Sequence, residues 1–204
     1  MAVEIVQVGD VVLRQAARPL TLEEIPRKDT QQLIDKMREV MRAAPGVGLA
    51  APQIGISLQL AVIEDRAEYV KDIDPQILAD RERKPVPFLV LINPQIVERS
   101  ADEAEFFEGC LSLSGFSAVV KRARGVTVEF LDREGNPQRM EARGWFARIL
   151  QHEIDHLNGC LYIDRMQSRS FMNLDHLTRY WKDLPMERVR KELRLDLSVP
   201  GGQA

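Results

Sequence analysis

The chain has 204 residues, 45% of them apolar and 29% charged, with a formal net charge of −3. That length suits one domain able to bury its own core, and the charge balance gives no basic footprint, so no direct DNA binding is expected. No run of about 18 apolar residues offers a membrane span, and "MAVEIVQVGD" lacks a signal-peptide pattern, so we expect a cytoplasmic protein of bacterial type without a membrane partner, the alternative being an organellar form trimmed of its leader.

Residues 30–44 place Leu33, Ile34, Met37, Val40, Met41 and Ala44 at helical spacing, with Asp29 and Thr30 as caps and Pro45-Gly46 as the stop. "GVGLAAPQIG" (46–55) is rich in small residues and reads as a tight loop, followed by a strand in "LQLAVI" from Leu58. The charged stretch from Glu64 to Pro87 reads as a surface excursion that interrupts a sheet. "FLVLINP" resumes as a buried strand; "FSAVV" and "GVTVEFL" are short β runs, the second meeting "QRMEA" across the turn "DREGNP". From Trp145 to Asn158 apolar residues recur at 145, 146, 149, 150, 154 and 157, a largely buried helix that Gly159 ends. One or two further helices are expected in "SFMNLDHLTRYWKDL" and "PMERVRKELRLDL", before a fraying "SVPGGQA".

The sequence "QHEIDH" (151–156) lies on the buried helix. His152 and His156, four apart, stack on one face and can converge on one metal, while Glu153 lies about 100° round and can reach a water there. An open catalytic site takes three protein ligands, so the third must come from elsewhere. Metzincin proteases would need a His where this chain has Tyr162, and thermolysin-like proteases would need a later Glu, for which Glu187 and Glu192 are candidates. The two cysteines have no secretory signal and are expected to be reduced. Cys160 follows the helix-ending Gly159 and reads as a buried small residue. Cys110, between Gly109 and Leu111 in a turn entering a strand, could hold a thiolate against the helix and complete the site.

"GVGLAAPQ" (46–53), "EGCLS" (108–112) and "QHEIDH" (151–156), in this order and with these gaps, resemble the three signature motifs of the peptide deformylases over about Val6 to Arg165. The resemblance implies Cys110, His152 and His156 as metal ligands and Glu153 as general acid/base, with Gln53 and the Leu111 N–H aimed at the oxygen of a formyl group. It implies removal of formyl from the N-terminal formyl-methionine of nascent chains, with release of formate. Ferrous iron is implied as the physiological metal, replaceable by zinc, nickel or cobalt during purification. Gly46 and Gly48 would admit an extended peptide, and Gly109 beside the thiol is a further expected substrate contact. Val47, Phe106, Trp145 and Ile149 are the expected walls of the methionine pocket, and Glu108 is expected to hold a partner near the metal.

Two features depart from the commonest pattern. "LSG" follows Ser112 where a Pro often ends the motif, as in a variant class that includes organellar members, and the 64–87 segment is longer than the minimal form. The fold expected is α+β, mostly antiparallel sheets packed around the central HExxH helix with C-terminal helix or helices, residues 1–167 being catalytic and 168–204 a helical extension. A ribosome contact would use "RVRKELRLDL", whose mixed charges otherwise describe an exposed helix face.

Overall fold

Ile34, Met37 and Met41 fall on one face of helix α1 (Lys28–Ala43) and are fully buried, as the spacing predicts. In the computed structural model, which describes residues 4–197, the helix begins before the expected caps. Arg27 takes the cap position without a side-chain bond, and Thr30 lies inside the helix, its hydroxyl donating to Glu24 O at 2.8 Å.

The small-residue stretch is not a loop. It forms strand β1 (Gly48–Ala50) and then a 3-10 turn, Ala51–Ile54. Strand β2 (Leu60–Asp65) follows, and the charged excursion folds into two short helices, α2 (Ala67–Val70) and α3 (Pro75–Asp80). Next come β3 (Val86–Arg99), β4 (Glu103–Cys110), β5 (Leu113–Ala123), β6 (Gly125–Leu131), β7 (Pro137–Arg143) and helix α4 (Gly144–Leu157). The chain continues through β8 (Met172–Asn173), the single turn α5 (Leu174–His176), a π-helical turn at Leu177–Trp181 and helix α6 (Met186–Leu193). The fraying expected of "SVPGGQA" falls outside the described residues. No helix among them is long and apolar enough to cross a membrane.

A five-stranded sheet runs β1-β2-β3-β6-β7 and a three-stranded sheet runs β4-β5-β8, with every neighbouring pair antiparallel. Strand β2 shows why its sequence is apolar without alternation. Leu60 and Val62 pack towards α1, while Ala61 and Ile63 pack towards α4, and all four are fully buried. Covering both faces removes the polar half of the pattern. Each such Leu, Ile or Val contributes roughly 1.5–3 kcal/mol by leaving water. The β6–β7 hairpin closes where expected: Asp132 Oδ1 accepts from the N–H groups of Glu134 and Asn136, fixing the turn.

Strand β4, like β1 and the two-residue β8, is an element that sequence patterning misses. "EAEFFEGC" is acidic and shows no alternating burial, and its structure comes from pairing with β5 in a register running from Glu103↔Ala123 to Gly109↔Ser117. Cys110 therefore ends a strand and leads into the Leu111-Ser112 turn, instead of sitting in a turn that enters one. The outer side of this sheet is covered from the C-terminus, where Val189 of α6 is fully buried with Val119.

The charged excursion also does more than cross the surface. Arg83 makes a bidentate pair with the fully buried Asp65 at 2.8 and 2.9 Å, and Arg81 O accepts the Trp145 N–H at 2.8 Å. Gly144, where β7 turns into α4, has φ +59°, and a Cβ there would lie 2.4 Å from Glu82 Cβ and 2.7 Å from Arg81 O. Gly144→Ala should therefore cost about 2 kcal/mol and lower Tm by roughly 4–8 °C. Thermal unfolding tests this, and an unchanged Tm would show that the 81–82 backbone moves aside freely.

Candidate functional site

Helix α4 and the end of β4 bring Cys110, His152 and His156 together, one ligand atom from each lying within 4.8 Å of the others. The histidines are one helical turn apart, their rings 5.0 Å centre to centre, and Cys110 Sγ is 3.2 Å from His156 Nε2. His152 Nδ1 donates to Glu108 Oε2 at 3.0 Å, which leaves Nε2 as its lone-pair nitrogen. Behind the rings lies Tyr162, almost fully buried and 6.4 Å from His152, centre to centre, with the two planes 18° apart.

One sulfur and two imidazole nitrogens are a donor set for a borderline-soft divalent ion with an open position. The electrostatics fit such an ion. Burial would hold His152 neutral, but its hydrogen bonds to Cys110 and Glu108 outweigh that and hold the imidazole well above its usual range. Groups that hold a proton on the imidazole at this point would hold a metal cation there too. His156 is pushed well below the usual imidazole range, by burial first and by the neighbouring His152 charge second, so it is a neutral donor.

Glu108 is what orients His152. Its Oε1 accepts from Arg122 Nε at 2.7 Å and Arg148 Nη1 at 2.6 Å, and its Oε2 accepts from Arg122 Nη2 at 2.9 Å as well as from His152. Arg122 reaches on to Asp155 at 2.7 Å, and Asp155 is bound in turn by Arg165 at 2.7 and 2.8 Å. Burial alone would raise the Glu108 pKa, yet the Arg122 ion pair and the His152 bond hold it well below the usual carboxylate range. Sequence reasoning named Glu108 but none of its arginines. A signal was present: Arg148 and Asp155 sit four before and three after His152, on the helix face that carries the ligand.

Glu153 is 4% exposed, and burial raises its pKa to about 7. Its Oε2 has no hydrogen-bond partner among the described residues. The close approach of β1 holds it in place: a Cβ on Gly48 would lie 2.2 Å from Glu153 Oε1, so only glycine fits. Gln53 is equally fixed. Its Oε1 accepts from the Ala50 N–H at 2.9 Å, which turns Nε2 towards Cys110 Sγ at 3.5 Å and Ser112 Oγ at 3.3 Å. No bond from the Leu111 N–H is found among the described residues.

Gln53, Cys110, Leu111, His152 and Glu153 line a cavity of about 470 Å³, shared with Val47, Gly48, Glu108, Gly109, Trp145 and Ile149. Phe106 does not reach it. Its ring lies beneath the guanidinium groups of Arg148 and Arg81, at 5.2 and 5.6 Å, and Phe107 lines the cavity instead. Successive strand side chains point to opposite faces, so a register error of one residue exchanges the two. Cys160 is half-buried, its Sγ 4.0 Å from Asn158 O, and is not the enclosed small residue expected. Glu187 and Glu192 are exposed on α6, and Glu192 pairs with Arg188 at 2.6 Å. Neither belongs to the metal-ligating group.

Glu108→Gln keeps the shape of the side chain and removes the charge that two buried guanidinium groups require. Metal affinity should fall by about 10–100-fold and stability by about 3–5 kcal/mol. Competition with a chelator and thermal unfolding read the two effects, and an unaltered metal affinity would show that His152 needs no carboxylate behind it.

The family model described as "Polypeptide deformylase" matches residues 2–171. The chain is 47% identical over 183 residues to the chloroplastic peptide deformylase 1A of Solanum lycopersicum, covering 90% of this chain and 64% of that protein. It is 48% identical to the chloroplastic/mitochondrial peptide deformylase 1A of Arabidopsis thaliana, covering 90% and 66%, and so spans just under two thirds of these plant relatives' length. Among solved structures, the Met-Ala-Ser-bound class I type b peptide deformylase of Acinetobacter baumannii superposes with a TM-score of 0.72 at 33% identity, covering 81% of this chain and 100% of that one. With the matched region running through all three motifs and the Cys-His-His group, this chain belongs to the polypeptide deformylase family.

Proposed function

We propose that the chain is a metal-dependent amidohydrolase that removes the formyl group from the N-terminal formyl-methionine of newly made proteins and releases formate. The observation that carries this reading is the Cys110, His152 and His156 group with buried Glu153 beside it and the Gln53 amide held alongside the thiol. Held by these three ligands, a divalent ion supplies Lewis acidity that acidifies a water and polarises a carbonyl. Ferrous iron is the working ion in this reading, and zinc, nickel or cobalt are the ions found after purification.

Glu153 accepts the proton of the attacking water and later delivers it to the departing amine. A carboxyl whose pKa burial has brought to about 7 can do both near neutral pH. Gln53 Nε2 and the Leu111 N–H donate to the formyl oxygen as it gains charge, and in other enzymes one such donor is worth about 2.7–4 kcal/mol. Val47, Phe107, Trp145 and Ile149 receive the methionine side chain, with Phe107 in the part first given to Phe106. Gly48 and Gly109 let the peptide backbone approach.

Two neighbouring readings have less support. A zinc endopeptidase draws on HExxH alone, and its third ligand would have to come from Glu187 or Glu192, which are both exposed. Of the four cations in "RVRKELRLDL" that a ribosome contact would use, two are compensated: Arg188 pairs with Glu192, and Arg190 with Glu105 and Asp196. We take the cytoplasm as the compartment, with an organelle as the alternative that the plant relatives' names favour.

Formate release from formyl-Met-Ala-Ser, measured anaerobically on the iron-loaded protein, tests the reading. Glu153→Ala should retain iron and lose at least about 10²-fold in kcat, and Cys110→Ser should lose iron and activity together. No release from metal-replete wild type, or equal release by Glu153→Ala, would overturn it. Gly48→Ala, which displaces Glu153, should lower kcat by about a hundredfold with the metal still bound; steady-state kinetics and metal analysis check this together.

A further inference from the structure

Gln53 and Leu111, the two donors assigned to one oxygen, lie on different sheets. Gln53 follows β1 of the five-stranded sheet, and Leu111 follows β4 of the three-stranded sheet. A single acceptor can be reached by both only if the two turns keep a fixed relation. Inside the site they meet through Gln53 Nε2 and Ser112 Oγ.

The remaining links come from a segment that the function leaves unused, Val6 to Val8. The Val6 N–H donates to Gln53 O at 2.9 Å and the Val8 N–H to Ser112 O at 2.7 Å. Between them, Gln7 Nε2 donates to Leu111 O at 3.0 Å, and Gln7 Oε1 accepts from the Ser114 N–H at 3.2 Å. Both ends of the Gln7 amide are thus used on the turn that carries Leu111. The segment is itself anchored: Asp10 Oδ1 caps the following 3-10 turn, accepting from the Val12 N–H at 3.0 Å, and the Ala17 N–H donates to Leu157 O at the end of α4 at 2.8 Å.

We infer that Gln7 is a positioning residue for the oxyanion donors: by holding the Leu111 carbonyl and the Ser114 N–H, it pins the peptide plane after Leu111 and keeps the Leu111 N–H aimed at the same point as the Gln53 amide. The inference rests on the deformylase reading of the site. Gln7 is exposed, so replacing its amide leaves neither a cavity nor a buried orphan, and a purely structural role would move stability little. The backbone bonds of Val6 and Val8 persist in any side-chain variant, which isolates the contribution of the amide.

Two variants separate its bonds. Gln7→Met has the same length and makes neither bond, whereas Gln7→Glu can still accept from the Ser114 N–H but cannot donate to Leu111 O. For both, kcat and KM with formyl-Met-Ala-Ser, iron content, and the Kd of the product Met-Ala-Ser, which lacks the formyl oxygen, are measured. We expect kcat to fall about tenfold in both variants, with KM, product Kd and iron content within about twofold of wild type. Unchanged kcat in both variants would overturn the role, as would a joint loss of product binding and iron, which would mean that the whole turn had loosened. A wild-type protein that released no formate would instead overturn the deformylase reading, and the role of Gln7 with it.

Discussion

Glu108 is a carboxylate sealed in the interior with two guanidinium groups and an imidazole around it. Taking such charges out of water costs several kcal/mol per ion, a penalty offset only when every partner is in place. Glu108 comes from β4, Arg122 from β5, and Arg148, His152 and Asp155 from α4, so one arrangement of these three elements satisfies the set. A slip of β4 against β5 by one residue would turn Glu108 away from Arg122 and strand both charges. The network therefore fixes the register that brings the Cys110 thiol to the two histidines. Apolar packing of α4 against the sheet stabilises the fold but tolerates neighbouring registers; the buried charges do not.

The helix and the strand that this network joins are not equally legible in the sequence. Helix α1 announces itself because it buries one stripe against a sheet, so the 3.6-residue period survives in the sequence, and α4 because its apolar residues recur round a helix that is buried on most sides. The β6–β7 hairpin is legible because Asp132, Gly135 and Asn136 carry turn chemistry that acts locally. Strand β4 carries no such record: its Glu, Ala and Phe residues gain their places from β5, more than a turn away in sequence, and no local propensity reports that partner. The stretch at 46–55 misleads for a related reason. Small residues suggest a loop, yet Gly48 is small because Glu153 lies against the backbone of β1.

Within the site, residue types were legible and pairings were not. A helix with His at 152 and 156 can be read from spacing alone, and the Cys-His-His geometry agrees with the resemblance drawn from three motifs. That Glu108 would meet Arg122, fourteen residues on, depends on a strand pairing that the sequence conceals. The exchange of Phe106 for Phe107 has the same origin, since the face a side chain occupies on a strand is settled by one residue of register. The Val6–Val8 segment carried no pattern at all, because its contacts are single hydrogen bonds to distant turns.

The excursion between β2 and β3 is held at its ends. Asp65 grips Arg83, and Glu82 is engaged by Arg124 and Arg143, while α2 and α3 between them bury no residue fully. The closure entropy of such a loop grows only logarithmically with its length, by about 0.6 kcal/mol per doubling. Chain added or removed between Val70 and Pro75 is thus nearly free of thermodynamic consequence, while Arg83 still lines the cavity. This makes the excursion the natural graft point of the molecule: a fluorophore tag, an affinity peptide or a small inserted domain could be carried there without moving the cavity wall.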